Sequence, residues 1–423
     1  MTTPNDSLDD VRMRAEKGDA RAQYFLAAKL SGAGKKKEAD RWLAAAAEQG
    51  FGDALYTLAT RRLDHDGLNE AADMLARASK KGSSPAQRLL GVLAAMGLGR
   101  ERDWREAIRL VMNSAKTGDP AAMRELAMLL FAADPEDRDG AGLIAAAAPL
   151  DPVAAAVAVR RYCEGRAFTD AQAANTQLNF LERARYPHAA FLRKVFAKAG
   201  AAAPQSPAAP DWTRISDKLS NEPAVPSLAA EKLCDTPPAR VFRSAYTPEE
   251  CEYVIAASAR RLASSTIVDP HTGATMQDAY RTSLTAILAL VDLDLALVML
   301  NRRLAALARR PPEKAECLGV LYYAPGKEYR PHCDWLPPGP EFERGGQRAA
   351  TGLIYLNEDY EGGETRFTVP DLAFKGRIGD VLVFENLNKN GDPDPASRHE
   401  GVAVRSGEKW LGSTWFREKN YRH

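Results

Sequence analysis

Residues 329–334 read Tyr329-Arg330-Pro331-His332-Cys333-Asp334, and residues 399–410 read His399-Glu400-Gly401-Val402-Ala403-Val404-Arg405-Ser406-Gly407-Glu408-Lys409-Trp410. Successive side chains alternate between the two faces of a strand, so His332 and Asp334 project from the same face. Such a pair can hold one side of a metal ion, and His399 is a candidate third ligand. Two histidines and one carboxylate with the remaining positions open form the facial triad of non-haem Fe(II) oxygenases.

A lysine follows this predicted metal site closely. Lys409 comes shortly after His399 and supplies a cation near the site. An ammonium group forms strong, charge-assisted hydrogen bonds with carboxylates, so Lys409 suits an anionic cosubstrate. We predict no catalytic residue beyond the three metal ligands.

The chain around these residues has the pattern of short β-strands. From Glu316 onward, β-branched and aromatic runs alternate with turn residues, and the runs cover 318–323, 349–356, 364–369, 380–384 and 410–416. Short strands at this spacing fit a jelly roll, or double-stranded β-helix, better than a parallel α/β sheet. Flanking helices are predicted from Thr247, as N-cap, to about Leu262, and over about 293–309.

The first half of the chain is self-similar. Segments 17–23, 49–55, 81–87 and 117–123 align on Gly18, Gly50, Gly82 and Gly118, with weaker echoes at 150–156 and 185–191. In each unit a glycine ends one helix, and Asp, Ser or Pro starts the next. Helix pairs that cannot bury their apolar stripes alone stack into an α-solenoid. The Gly-Asp-x-x-Ala marker resembles the Sel1-like branch of tetratricopeptide repeats.

These patterns predict an α + β multidomain chain. The helical repeat domain covers 8–200, an Ala/Pro-rich linker covers 201–224, and the oxygenase-like domain covers 225–423. The repeats would offer a concave surface to a protein partner or peptide substrate, or they would only stabilise or dimerise the second half.

Composition narrows the class of protein. Lys+Arg 57 against Asp+Glu 56 gives no electrostatic case for nucleic acid or an anionic membrane. The start of the sequence lacks the pattern of a signal peptide, and no stretch reads as a membrane span. Five scattered cysteines without a CxxC pair fit a reducing cytoplasm, which we take as the expected location. His65, His188 and His271 have no partners at ligand spacing and are expected to be incidental.

Several motifs together resemble the prolyl 4-hydroxylase branch of the 2-oxoglutarate/Fe(II) dioxygenases. The resemblance covers roughly 240–418. It is carried by Arg281-Thr282-Ser283, the run from Tyr322 to Asp334, Gly345-Gly346-Gln347-Arg348-Ala349-Ala350-Thr351, Tyr355-Leu356-Asn357, Gly362-Gly363-Glu364-Thr365-Arg366-Phe367, and the element from His399 to Trp410.

The resemblance implies a role for each group. Fe(II) is held by His332, Asp334 and His399, and 2-oxoglutarate by Lys409 with Thr365 and Tyr323, for which Tyr355 could substitute unless it is a core residue. Tyr329, Arg348 and Trp415 resemble positions on the substrate side of the iron, although the two aromatic residues could equally be barrel core. The polar segment 267–280 is a candidate lid.

The implied reaction hydroxylates an unactivated C–H bond and converts 2-oxoglutarate and O₂ to succinate and CO₂, with ascorbate as reductant. The expected substrate is a prolyl or other residue of a peptide or protein recruited by the repeats. One alternative is hydroxylation of a free amino acid or other small molecule. A second is an adaptor whose repeats carry the biological role while the oxygenase fold senses iron or oxygen.

Overall fold

The structure is a computed structural model, and it describes residues 7–63, 66–200, 207–268, 275–276 and 280–421. Most of the predicted lid at 267–280 lies outside these residues. His65 and His271 also lie outside them.

The first part of the chain is a succession of helix pairs, as the repeats predict. The helices are α1 (Leu8–Glu16), α2 (Ala20–Gly32), α3 (Lys36–Glu48), α4 (Gly52–Thr60), α5 (Leu68–Lys80), α6 (Ser84–Met96), α7 (Trp104–Lys116), α8 (Pro120–Ala133), α9 (Arg138–Ala147), α10 (Pro152–Cys163), α11 (Ala171–Arg183) and α12 (Ala189–Phe196).

The aligned glycines lie between the two helices of a pair. Gly18, Gly50, Gly82 and Gly118 all have positive φ values, between 76° and 94°. Glycine adopts this left-handed conformation without a steric penalty, so each one ends a helix and turns the chain into the next. Asp19 then caps α2, because its carboxylate accepts hydrogen bonds from the backbone N–H groups of Arg21 and Ala22.

Residue contacts divide the chain into two compact units. The first contains Met1–Leu126, Trp212–Glu222 and Leu293–Leu295, and the second contains Ala127–Asp211, Pro223–Asp292 and Ala296–His423. This division differs from the predicted domains, which follow sequence motifs, and their boundaries stay a prediction.

The predicted linker at 201–224 is not extended throughout. Helix α13 (Trp212–Lys218) lies inside it and buries Ile215. Leu219, just beyond the helix, accepts a hydrogen bond from the indole N–H of Trp104 through its backbone carbonyl at 3.0 Å. The Ala/Pro composition missed this segment because a helix of seven residues carries little periodic signal.

The remaining helices flank a β-rich domain. They are α14 (Pro248–Ser258), α15 (Leu295–Leu307) and α16 (Pro340–Gly345). Thr247 caps α14 in a capping box with Glu250, and Pro248 occupies the first helical position, as predicted. Helix α14 ends at Ser258, where a short 3₁₀ segment replaces the predicted continuation to Leu262.

The strands of the described residues begin just before α14. They are β1 (Glu231–Asp235), β2 (Pro238–Phe242), β3 (Ala263–Ser264), β4 (Ile267–Val268), β5 (Thr275–Met276), β6 (Leu284–Ile287), β7 (Gly319–Tyr323), β8 (Tyr329–His332), β9 (Arg348–Tyr355), β10 (Tyr360–Gly362), β11 (Thr365–Phe367), β12 (Leu372–Phe374), β13 (Val381–Glu385), β14 (His399–Gly401), β15 (Val404–Gly407) and β16 (Lys409–Arg417).

Two antiparallel sheets form the body of this domain. The eight-stranded sheet has the order β1-β2-β13-β9-β16-β7-β6-β3, and the four-stranded sheet has the order β12-β11-β14-β8. One hydrophobic core joins them, since Leu321, Leu353 and Leu382 of the large sheet cluster with Phe367 and Phe374 of the small one. Two sheets around a shared core are what a jelly roll requires, and the jelly-roll designation itself stays a prediction.

No helix in the described part of the chain is both long enough and apolar enough to cross a membrane.

Candidate active site

The three predicted metal ligands lie together at one end of the small sheet. His399, at the start of β14, is directly opposite His332, at the end of β8, in the antiparallel pair. Asp334 follows two residues after His332. Its Oδ1 lies 3.6 Å from His332 Nε2, and its Oδ2 lies 3.7 Å from His399 Nε2. One ligand atom from each residue lies within 4.8 Å of the other two, so the group could hold a metal ion.

Hydrogen bonds fix the orientation of both imidazole rings. His332 Nδ1 lies 2.8 Å from the carbonyl oxygen of Arg330, and His399 Nδ1 lies 2.9 Å from that of Ser397. A carbonyl oxygen can only accept, so each Nδ1–H donates and each Nε2 is the ring nitrogen that faces Asp334. Burial, and then the neighbouring His332, lower the pKa of His399 to about 4. The His399 ring is therefore neutral near pH 7, as a metal ligand must be.

The Asp334 carboxyl is buried and held from its other side. Thr351 on β9 donates its hydroxyl hydrogen to Asp334 Oδ2 at 2.6 Å, and Asn386 Nδ2 donates to Thr351 Oγ1 at 2.9 Å. Burial alone would raise the pKa of Asp334, but three effects outweigh it: the positive charge of the His399 ring at the low pH where Asp334 titrates, the hydrogen bond with His332, and the Thr351 hydroxyl. The pKa of Asp334 therefore lies well below its usual range, and the group is a carboxylate.

Lys409 is a buried cation on the large sheet. It lies at the start of β16, opposite Tyr323 on β7, and its Nζ donates to the carbonyl oxygen of Gly363 at 2.7 Å. Burial, despite the opposing effect of Glu364 and with some help from Lys375, lowers the pKa of Lys409 to about 7. Within the described ranges, no carboxylate oxygen forms an ion pair with Lys409 inside 4.0 Å. A buried ammonium group in this state can accept an anionic ligand.

Both predicted tyrosines lie near this lysine, and Thr365 is hydrogen-bonded to one of them. Lys409 Nζ lies 5.3 Å from the ring centre of Tyr323 and 5.9 Å from that of Tyr355. The Tyr355 hydroxyl is hydrogen-bonded to Thr365 Oγ1 at 2.8 Å, so Tyr355 is joined to Thr365 as well as buried in the core.

Strand β11 connects the surroundings of Lys409 to the metal group. Thr365 and Phe367 are two residues apart on β11, and Phe367 pairs with His399 in the small sheet. Residues two apart on a strand share a face, so Thr365 and the His399 position lie on one side of the sheet.

The predicted substrate-side residues form two stacks. Tyr329 lies parallel to His332, with ring centres 3.5 Å apart at 17°. The Arg348 guanidinium lies 3.7 Å from the ring centre of Trp415 and is 3.5 Å from the carbonyl oxygen of Asp334. Tyr329 and Arg348 thus contact the metal group directly, whereas Trp415 joins it through Arg348.

Sequence reasoning missed the residues that hold these groups in place. Glu316 accepts a bidentate pair of hydrogen bonds from Arg348 at 2.8 and 3.0 Å. Thr351 was only the last residue of a motif, and Asn386 lies two residues beyond the predicted run 380–384, where no pattern marked it. Spatial partners of this kind have no fixed sequence spacing, so only the fold reveals them.

His188 has a structural role that the sequence did not predict. This histidine is buried, its Nδ1 lies 2.9 Å from a carboxylate oxygen of Glu252 on α14, and its ring packs on Phe191. Tyr186 donates its hydroxyl hydrogen to the same carboxylate at 2.6 Å. These contacts join the end of the helical repeats to the β-rich domain within the second compact unit.

Comparison with known proteins identifies the family. The model of the 2OG-Fe(II) oxygenase superfamily matches residues 318–417. "Prolyl 4-hydroxylase 1" of Arabidopsis thaliana is 35% identical over 217 residues, which cover 48% of this chain and 77% of that relative. The chain belongs to the prolyl 4-hydroxylase family. It is a 2-oxoglutarate/Fe(II)-dependent dioxygenase with an N-terminal array of helical repeats.

Other similar proteins include a "Putative prolyl 4-hydroxylase" of Acanthamoeba polyphaga mimivirus, 44% identical over 117 residues, 26% of this chain and 48% of the relative. Among solved structures, the viral collagen prolyl hydroxylase of Paramecium Bursaria Chlorella virus-1 is 21% identical, with a TM-score of 0.35 over 44% of this chain and 98% of that one. A Sel1 repeat protein from Oxalobacter formigenes is 29% identical, with a TM-score of 0.25. The match covers 27% of this chain and 92% of that protein.

Membership of this prolyl 4-hydroxylase family implies Fe(II), 2-oxoglutarate and O₂ as cofactors. The residues fit them. Two imidazoles and a carboxylate are a donor set for Fe(II), and the buried Lys409 has hydrogen-bonding capacity for a carboxylate.

Proposed function

We propose that this chain hydroxylates a prolyl, or other, residue of a peptide or protein. The observation that carries the proposal is the convergence of His332, Asp334 and His399 to within 4.8 Å. Lys409 is buried, has no carboxylate partner among the residues that the structure describes, and lies in the same domain, which supports a site for a dicarboxylate. Fe(II), 2-oxoglutarate and O₂, when bound, supply an oxidising chemistry that inserts a hydroxyl group and releases succinate and CO₂.

In this proposal the protein's side chains bind the iron, orient 2-oxoglutarate and the substrate, and exclude water from the site. His332, Asp334 and His399 hold the iron through Nε2, a carboxylate oxygen and Nε2. Lys409 binds the distal carboxylate of 2-oxoglutarate, with Thr365 and either Tyr323 or Tyr355 completing the pocket. Tyr329, Arg348 and Trp415 line the substrate side, where aromatic faces and a guanidinium suit a peptide backbone.

The test measures succinate release from iron-loaded protein with 2-oxoglutarate, ascorbate and a library of proline-containing peptides. Turnover should vanish in His332→Ala and in Lys409→Met, while the exposed control Lys389→Met should match the wild type. Hydroxylated peptide detected by mass spectrometry would identify the residue type. Undiminished turnover in either site variant would contradict the proposed site, and omission of ascorbate tests the proposal that it sustains activity.

We also propose that the helical repeats recruit the substrate. Deletion of 1–200 cannot test this cleanly, because Ala127–Asp211 belongs to the same compact unit as the metal ligands. Charge-reversing substitutions at exposed positions of α1 to α7 are a better probe. If the repeats recruit, these substitutions should raise KM for a protein substrate and leave KM for a short peptide from it unchanged.

Two other functions give different results in these assays. An enzyme for a free amino acid or other small molecule would turn over that compound with no effect of substitutions in the repeats. An adaptor that senses iron or oxygen would bind Fe(II) and 2-oxoglutarate but hydroxylate no peptide.

We propose a cytoplasmic location. It is supported by the odd number and scattered spacing of the five cysteines, none of which forms a CxxC pair: Cys163, Cys234, Cys251, Cys317 and Cys333. Localisation of the tagged full chain by fractionation tests it.

A further inference from the structure

Two buried polar side chains stand behind the proposed iron carboxylate, and neither belongs to the predicted site. Thr351 lies in the middle of β9 with 1% of its surface exposed, and Asn386 follows the end of β13 with none exposed. Their hydrogen bonds run in series from Asn386 Nδ2 to Thr351 Oγ1 at 2.9 Å and from Thr351 Oγ1 to Asp334 Oδ2 at 2.6 Å.

The direction of this series is fixed by chemistry. The Asp334 carboxylate has no hydrogen to give, so the single hydroxyl hydrogen of Thr351 must point at it. The remaining capacity of Thr351 Oγ1 is as an acceptor, which requires Asn386 to present its NH₂ group rather than its oxygen. The Asn386 oxygen is then buried without a hydrogen-bond partner in the described part of the chain. An amide held at that energetic cost indicates a defined task.

Two backbone hydrogen bonds fix the position of Asn386. Its N–H donates to the carbonyl oxygen of Ala349 on β9 at 2.8 Å, and its own carbonyl oxygen accepts from the N–H of Asp394 at 2.9 Å. Asp394 belongs to the loop that leads to His399. Asn386 therefore connects the strand that carries Thr351 with the loop that delivers another proposed ligand.

We propose that Asn386 and Thr351 are positioning residues for the metal site: Asn386 orients the Thr351 hydroxyl, and Thr351 restrains the rotation of the Asp334 carboxylate through Oδ2. The other oxygen, Oδ1, is thereby kept on the side of His332 Nε2. The inference rests on the proposed function, because it assigns Asp334 to the metal. Hydrogen bonds of this kind orient metal ligands, and their loss typically lowers metal affinity by about 10- to 100-fold.

The experiment measures the dissociation constant of Mn²⁺ alone by calorimetry on the metal-free full chain, without 2-oxoglutarate, so that turnover is not the readout. Thr351→Val keeps the side-chain shape and removes the hydroxyl, and it should weaken Mn²⁺ binding by about 10- to 100-fold. Thr351→Ser restores the hydroxyl and should bind nearly as the wild type does. Asn386→Leu should weaken binding by less than Thr351→Val, because the Thr351 hydroxyl loses only its orientation.

Folding is checked by circular dichroism of each variant. If Thr351→Val does not fold, Asn386→Leu and Thr351→Ser carry the same comparison. A folded Thr351→Val or Asn386→Leu with wild-type affinity would overturn the inference, and so would equal weakening in Thr351→Ser and Thr351→Val. Failure of the wild type itself to bind Mn²⁺, with no difference from His332→Ala, would instead contradict the proposed metal site on which the inference depends.

Discussion

Lys409 carries an ammonium group in a place where water cannot solvate it. With only 2% of its surface exposed and one hydrogen bond, to Gly363, the group loses its proton far more easily than a lysine in solution. Its pKa of about 7 falls within the physiological range. Protonation of Lys409 and binding of an anion are therefore coupled.

We predict that 2-oxoglutarate binds more weakly as the pH rises. A bound carboxylate favours the ammonium form and raises the pKa of Lys409, so above pH 7 binding must take up a proton. The affinity should be constant below the free pKa of about 7 and should then fall by up to about tenfold per pH unit. Calorimetry at several pH values, in buffers of different ionisation enthalpy, measures both the affinity and the proton uptake.

The control for this prediction is Lys409→Arg, whose guanidinium stays charged throughout. Residual binding in that variant should show no pH dependence in this range. A wild-type affinity that stays flat from about pH 6 to about pH 9 would contradict the coupling.

The sequence was sufficient to predict which residues form the group of two histidines and a carboxylate. His332 and His399 meet through the register of β8 with β14, and Asp334 lies two residues beyond the end of β8, so its closeness to His332 follows from the short spacing in the sequence. The residues that support the Asp334 carboxylate could not be predicted from the sequence. Thr351 lies next to Asn386 because β9 pairs with β13 in the large sheet, and it reaches Asp334, which follows β8 of the small sheet. This proximity is a property of the fold rather than of sequence spacing.

The turn before β13 is a tight crossing of two backbone segments. Gly379 has φ of 82°, donates its N–H to the carbonyl oxygen of Tyr355 and accepts from the N–H of Tyr246. A Cβ atom at Gly379 would lie 2.0 Å from the carbonyl oxygen of Tyr246. Both the backbone angle and the contact thus require glycine at this position.

We predict that Gly379→Ala destabilises the fold by more than a backbone penalty alone. Left-handed backbone costs an alanine about 1–2 kcal/mol, and relief of the contact with Tyr246 must add to it. Gly391→Ala is the matched control, because Gly391 has φ of 86° but nothing within 4 Å of the Cβ position. Urea unfolding should give a clearly larger loss for Gly379→Ala, and equal losses would contradict the proposed contact.

Long strands were predicted more completely than short ones. The run 349–356 overlaps β9 and the run 410–416 lies within β16, because strands of eight and nine residues leave a strong signal in the sequence. Strands β10 and β12 have three residues each, and they were not predicted. Such strands are defined by their partners in the sheet rather than by their own composition.

The last repeat helices belong to the second compact unit, which also contains the proposed metal ligands. Three glutamates of α14 are buried, and two of them meet residues of the repeat region: Glu249 pairs with Arg166, and Glu252 with Tyr186 and His188. A buried carboxylate left without its partners is strongly destabilising. Residues 127–211 should therefore unfold together with the sheets that carry the metal ligands.

We predict that Tyr186→Phe lowers the free energy of unfolding of this unit by about 1.5–3 kcal/mol, the usual worth of a hydrogen bond to a charged group. Glu252→Leu should cost more, because it leaves both the Tyr186 hydroxyl and His188 Nδ1 unpaired. Urea unfolding followed by tryptophan fluorescence provides the measurement. The exposed control Glu182→Gln, which breaks a surface pair with Arg193, should change it much less than either of the other substitutions.

Sequence motifs and compact units divide this molecule differently for a physical reason. The repeat marker persists, in weakened form, to about 191, so the sequence assigns all of 8–200 to one domain. Contacts follow burial instead, and α10 packs against α14 as well as against α11. A repeat helix shows its own periodicity in the sequence but not the identity of the surface that covers it.

The opposition of His332 and His399 across β8 and β14 has a mechanical consequence. The chain between these residues contains β9 to β13, so an ion shared by both rings closes a long loop in the manner of a removable cross-link. Unlike a disulfide, such a clamp strengthens with the concentration of its ion: a hundredfold excess over Kd adds about 2.7 kcal/mol against unfolding. The lifetime of the folded chain, and not only its turnover, would then follow the iron supply.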